Sequence, residues 1–184
     1  RGANRALGAA KGRARLWPSH FTRLGPRRAP HGRWRRDEDK KGATLTIPVD
    51  QFHAARFETS GTWAGGELVH VYGRRTGWLT YRFRGPGFRP ARLVLRLRLS
   101  SEYPGKVSPS HGSSRVKVKL DGVDLATLQA MPDDGVGAWH RVTVTDPGRL
   151  ASLARGRHTL RLEVVPGPKA NGLSLYGRRT LHAL

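Results

Sequence analysis

The side chains able to carry chemistry are scattered along this sequence. Thirteen acids and eight histidines could serve proton transfer or metal binding. Hydrolysis of the glycosidase type needs two carboxyls held at a controlled separation. The adjacent acids Asp133-Asp134 and Asp37-Glu38-Asp39 read instead as solvated loop charges. The histidines lack ligand spacing, and His140 and His158 fall in strand-like runs where structural roles are expected. There is no G-x-S-x-G elbow, H-E-x-x-H pair, P-loop or G-x-G-x-x-G turn before a helix. With no cysteine, disulfides and thiolate metal sites are excluded, although the compartment stays open. The sequence is read as binding rather than catalytic.

Charge is the other chemical signal. The 184 residues carry a formal net charge of +21, and residues 1–41 alone hold 13 cations against three acids. Clustered cations neutralise phosphate, which makes a nucleic-acid or other polyanion adaptor one reading. The cations are 27 Arg and 7 Lys in a chain rich in Ala, Gly and Pro. GC-rich codons of the bacterial type favour that set, which supplies a second explanation. No zinc-finger spacing, no heptads after a basic region and no RNP-like aromatics accompany the charge.

The elements that must position these groups follow from periodicity. Residues 3–16 predict a short helix ended near Pro18, and residues 1–24 are expected to be a helical tail of a missing upstream domain. The first residue is Arg and the only Met is Met131, as expected of a piece cut from a longer chain. No apolar run approaches the ~18–20 residues of a membrane span, and no apolar signal-peptide region opens the chain. Residues 25–42, with Pro26, Pro30, Gly32 and the charge run Arg33 to Lys41, read as a basic linker. Beyond Gly42 the period becomes two. Leu45, Ile47 and Val49 form one row, and Leu68, His70 and Tyr72 alternate with Val69 and Val71. Leu79, Tyr81 and Phe83 follow, then Leu93, Leu95, Leu97 and Leu99 against Arg92, Val94, Arg96 and Arg98. Val116, Val118 and Leu120 run into the Asp121-Gly122 hairpin signal and return through Val123, Leu125 and Leu128. Val142 and Val144, then Leu160, Leu162 and Val164, complete the rows, and residues 148–155 predict a short helix closed by Gly156. About eight short strands of this kind make an all-β antiparallel sandwich or jelly roll over residues 43–177, with 178–184 as a C-terminal tail.

The order of these segments resembles the galactose-binding-like jelly roll of carbohydrate-binding modules and of accessory domains found C-terminally in glycoside hydrolases. Thr76-Gly77-Trp78-Leu79-Thr80-Tyr81-Arg82-Phe83 is similar to a Gly-x-Trp-x-x-Tyr strand of that family. Val116 to Val123 resembles its strand ending in Asp-Gly, and Trp139 to Val144 its Trp-x-x-Val strand. Gly156 to Leu162 resembles its Gly-x-His-x-Leu-x-Leu strand, and Asn171 to Gly177 its last strand. The resemblance implies a carbohydrate partner, a catalytic domain upstream in the same chain and a secreted or cell-surface location. It implies no cofactor except a structural calcium, for which Asp50 and Glu58 are the nearest carboxylates, although their spacing departs from the usual pair.

Sugar rings are recognised by aromatic faces against their apolar C–H surfaces and by polar groups at their edges. Trp63, in the Gly-rich stretch Ser60 to Gly66, is the leading platform candidate. Trp139 opens a strand after the Asp133 to Gly137 loop, and Trp78 points away from Leu79, Tyr81 and Phe83. Trp78 reads as a plug on the sheet's other face before a surface platform, and Trp139 as a rim residue capping the core before a ligand contact. Tyr176 and Tyr72 could add ring faces or fill the core, and Asn171 could hold a ligand or simply form an Asn-Gly turn. Three readings stand: a carbohydrate-binding accessory module, a purely structural domain packed on a catalytic one, and a basic adaptor for nucleic acid or another polyanion.

Overall fold

The computed structural model describes residues 34–36, 42–49, 52–63, 66–101, 112–132 and 137–183. The helix expected over 3–16 and most of the linker lie outside them. The strands are β1 (Arg35–Arg36), β2 (Ala43–Pro48), β3 (Ala54–Trp63), β4 (Gly66–Val71), β5 (Trp78–Arg84) and β6 (Leu93–Ser100). They continue with β7 (Ser114–Leu120), β8 (Val123–Ala130), β9 (Ala138–Val144), β10 (Arg157–Val164), β11 (Leu173–Tyr176) and β12 (Arg178–Ala183). A single described helix, α1 (Pro147–Leu153), precedes β10.

These strands form two antiparallel layers. In the first, β6 is paired along one edge by β9 and along the other by β11 and β12 laid end to end. Beyond β12 lie β2 and β1, and beyond β11 lie β4 and β3. The second layer runs β3-β5-β10-β7-β8. β3 belongs to both layers. Ala54–Arg56 pair with β5, the register shifts between Phe57 and Thr59, and the rest of the strand pairs with β4. A bulge lets one strand bend from sheet to sheet in this way.

The core lies between the layers, where the period-two rows meet. Leu45, Val69, Val71, Leu93, Leu95, Leu97, Leu99 and Leu175 come from the first sheet, and Leu79, Tyr81, Phe83, Val116, Val118, Leu160 and Leu162 from the second. Each fully buried aliphatic contributes about 1.5–3 kcal/mol relative to exposure. Helix α1 closes one side with Leu150 and Leu153. Its start is fixed by Asp146, whose side chain accepts from the Arg149 backbone N–H at 2.8 Å, and by Pro147 at the first helical position. The Asp121-Gly122 turn has φ of 50° and 83° at its two central residues, as a tight hairpin requires. Asp121 also reaches across to β10, accepting from the Thr159 N–H at 2.7 Å and meeting His158 Nδ1 at 2.8 Å.

Four features depart from the sequence expectations. The segment Ser60 to Gly66, expected as a loop, largely belongs to the β3–β4 hairpin, with Trp63 paired to Gly66 through the backbone. Both faces of β4 are buried: Val69 and Val71 face the core, while Leu68 and His70 on the reverse side are also closed to solvent. Residues 178–183, expected as a tail, form β12, which seals β2 to β6. Within the basic linker, Arg35–Arg36 pair with β2 and Trp34 packs on the core, its indole N–H donating to the Arg84 carbonyl at 2.6 Å. Its ring meets Phe83 edge-on at 6.3 Å.

Leu97 is fully buried at the centre of the first sheet's inner row. Leu97→Ala should lower unfolding free energy by about 2–5 kcal/mol in chemical denaturation. A loss under 1 kcal/mol would show that the core is not where the register places it.

Candidate functional site

Residues directly opposite on neighbouring strands share a face and approach closely. On the outer face of the first sheet, Arg98 stands opposite Trp139, Arg96 opposite Arg141 and Val94 opposite Thr143. Arg96, Arg141 and Thr143 are exposed, and Trp139 is 58% exposed, a large value for an indole in a strand. The Arg96 guanidinium lies 5.2 Å from the Trp139 ring centre, close enough for a cation–π contact. Arg98 is half-buried, with its guanidinium 5.9 Å from the Tyr176 ring centre and its Nε donating to the Gly137 carbonyl at 3.4 Å. Tyr176 is buried, so it backs this cluster from beneath rather than offering an open ring.

Gly137 sets where Trp139 emerges. Its φ is 81°, and a Cβ there would come within 2.8 Å of the Tyr176 ring and 3.2 Å of Arg98 Cγ. Only glycine combines that backbone with that approach. The backbone at Gly137 therefore leads into β9 pressed against Arg98 and Tyr176.

The remaining candidates sit elsewhere. Trp78 lies on the outer face of the second sheet, with the Arg161 guanidinium 4.3 Å above its ring. Arg161 donates to Glu163 at 2.8 Å, Lys119 approaches Glu163 at 3.3 Å, and Lys117 and Lys119 approach Asp124 at 3.3 and 3.7 Å. Asn171 is half-buried and ties loops together. Its amide donates to the Ser101 carbonyl at 2.6 Å, and its own carbonyl accepts from His70 Nε2 at 3.0 Å. Gly172 beside it has φ of 110°, and a Cβ there would meet the Val71 carbonyl at 2.2 Å, so this turn is packed directly on β4. Tyr72 is half-buried with Arg75 at 5.9 Å from its ring centre. The Trp63 and Glu58 side chains and all of Asp50 lie outside the described residues. Among the described residues no group of three or more His, Asp or Glu could hold a metal ion.

The structure thus joins Trp139 and Tyr176 through Arg98 and sets Trp78 on the opposite sheet. The sequence pattern gives the arginines of β6 only as the row alternating with its leucines, and it assigns no part in a site to Arg141 or Gly137. The signal for Arg141 was present in Trp139-x-Arg141-x-Thr143, but it required the register with β6 to acquire meaning.

Among the described residues, two groups titrate away from their ordinary values. Burial would raise the pKa of Glu163, but the bonds and charges of Arg161 and Lys119 outweigh it and hold the carboxyl below its ordinary 4.5. Burial lowers His140, on the core side of β9, below 6.5. Both folded values lie below the unfolded ones, so the unfolded chain binds protons first as pH falls. Stability should decline from about pH 6.5 downward through His140 and again below about 4.5 through Glu163. Melting curves over this range should show His140→Phe losing the upper step and Glu163→Gln the lower one. Unchanged profiles in both variants would refute the assignment.

No family model and no curated protein matches this sequence. Solved structures do share its architecture. The C-terminal CBM6 of LamC, a marine laminarinase from Zobellia galactanivorans, superposes with a TM-score of 0.51 at 18% identity, over 74% of this chain and 98% of that one. BtGH115A, a family GH115 4-O-methyl-α-glucuronidase with specificity for decorated arabinogalactans, gives 0.50 at 14% identity over 74% of this chain and 17% of its own. The insecticidal crystal protein Cry2Aa gives 0.50 at 14% identity, over 80% of this chain and 22% of that one. The β-strand domain described here has the jelly-roll β-sandwich fold of the carbohydrate-binding modules.

Proposed function

We propose that this chain is a non-catalytic carbohydrate-binding module of a larger glycoside hydrolase-like protein, acting in a secreted or cell-surface setting. The observation that carries the reading is Trp139, an indole 58% exposed in a regular strand of a carbohydrate-binding-module fold. An indole this exposed presents much of its ring to solvent, and the C–H face of a sugar would cover it. The rim of charged and hydroxyl groups around it, from Arg96, Arg141 and Thr143, can serve the polar edges of the same sugar. Fold alone does not select a ligand, as the shared architecture of an insecticidal protein illustrates. The aromatic platform therefore carries the weight.

Retention on insoluble polysaccharides and a glycan array, each run with calcium and with chelator, tests this. Wild type should bind at least one glycan, and Trp139→Ala should weaken it by about tenfold or more, the usual cost of losing a central aromatic contact. Absence of retention on every glycan, or full binding by Trp139→Ala with native circular dichroism, would overturn the reading.

A further inference from the structure

The two outer faces of the sandwich are both basic, but their acids are distributed differently. On the second sheet Glu163 and Asp124 lie among Lys117, Lys119 and Arg161 and pair with them. On the first sheet the strands β2, β6, β9, β11 and β12 contain no Asp or Glu, and the acids of that layer, Glu58 and Glu67, lie on β3 and β4, which do not pair with β6 or β9. Nevertheless Arg96 stands directly opposite Arg141, both exposed. Neighbouring strands lie about 4.8 Å apart, and like charges placed opposite one another destabilise a sheet. Among the described residues no ion pair to Arg96 or Arg141 offsets that cost, so negative charge from outside would relieve it.

We propose that the exposed β6–β9 face binds an acidic polysaccharide, a chain of sugar rings bearing carboxylates. Trp139 is the ring platform, and Arg96 and Arg141 grip the carboxylate. This rests on the carbohydrate-binding reading and specifies its ligand class. The planar guanidinium presents paired N–H donors matched to the two oxygens of a carboxylate, which a lysine cannot do. Arg96 also sits 5.2 Å from the Trp139 ring centre, so a sugar stacked on the indole brings its ring-edge substituents within reach of that fork. Arg98 is held by Gly137 and lies over Tyr176, steadying the strand pair behind the platform. Nucleic acid fits this face less well. Single strands are held by several aromatics on which successive bases stack, whereas β6 and β9 contain one Trp and neither Phe nor Tyr.

Titration calorimetry with polygalacturonate, its fully methyl-esterified form and oligo(dT) tests the proposal, since esterification removes the charge and keeps the ring. The acidic polymer should bind at least about tenfold more tightly than the ester. Arg96→Ala and Arg141→Ala should each lose about tenfold on the acid and distinctly less on the ester, where only their contacts to neutral ring edges are removed. Trp139→Ala should weaken both, and Arg157→Ala on the other sheet should alter neither. Equal affinity for acid and ester, with the Arg96 and Arg141 variants silent, would overturn the acidic specificity and leave the carbohydrate reading standing. Binding of neither polymer would overturn the acidic specificity, while the carbohydrate reading falls only if every glycan of the array is unbound as well. Oligo(dT) bound as tightly as polygalacturonate, and lost in the same arginine variants, would instead identify a general polyanion surface and overturn both.

Discussion

Strand β6 is the constraint on which the rest depends. Its sequence alternates Leu93, Leu95, Leu97 and Leu99 with Val94, Arg96 and Arg98, so one strand supplies the central row of the core and the cations of the outer face. A slip of one residue would expose four leucines and drive two guanidiniums between the sheets. Burying an unpaired charge there would cost far more than the strand's own contacts return. The register with β9 and with β11–β12 is therefore fixed by the same residues that define the candidate site. Fold stability and the geometry of the face cannot be varied independently.

The junction of β11 and β12 shows how the sheet accommodates this strand. From Leu175, opposite Leu99, to Thr180, opposite Arg96, the chain advances five residues against three on β6. The two extra residues fall around Gly177, whose φ is 59°. Because the excess is even, the register stays in step across the kink, with Leu175 opposite Leu99 and Leu181 opposite Leu95. The kink lets the same run of chain pair with β4 on one side of Gly177 and with β2 on the other, which is how five strand widths are built from eight strands.

How much of this was legible in the sequence follows from the same physics. Where one face of a strand is buried and the other wet, as in β5, β6, β7 and β10, alternation marks the strand directly. Where both faces are covered, as in β4, alternation marks the strand but not which face meets the core. β3 carries a bulge and is rich in small polar residues, so its periodicity breaks where it changes sheets. β12 is short and begins with two arginines, and its pairing with β2 is non-local, which no local pattern encodes. Trp34 was obscured by the surrounding charge run, although a large aromatic inside a basic linker is itself a sign of docking. For the site, the indole of Trp139 could be named from sequence, but its exposure and its cationic neighbours depend on register. Exposure separates it from Trp78, whose ring carries an arginine already paired to Glu163.

The contrast between those two tryptophans bears on why composition misleads here. Arginine is abundant on both outer faces, and counting it assigns them the same chemistry. On the second sheet the charges close on one another: Arg161 lies over Trp78 and bonds Glu163, which Lys119 also approaches, so a ligand would have to break existing contacts to enter. On the first sheet Arg96 is shared only with an indole that remains open to solvent, and Arg141 stands across from it with the same sign. Cation–π contact holds a guanidinium in place without neutralising it. An anion arriving there gains the attraction of two oriented cations and displaces no internal partner carboxylate of those strands. What distinguishes a binding face from a solvated one in this protein is therefore the placement of its few acids, which only the strand pairing reveals.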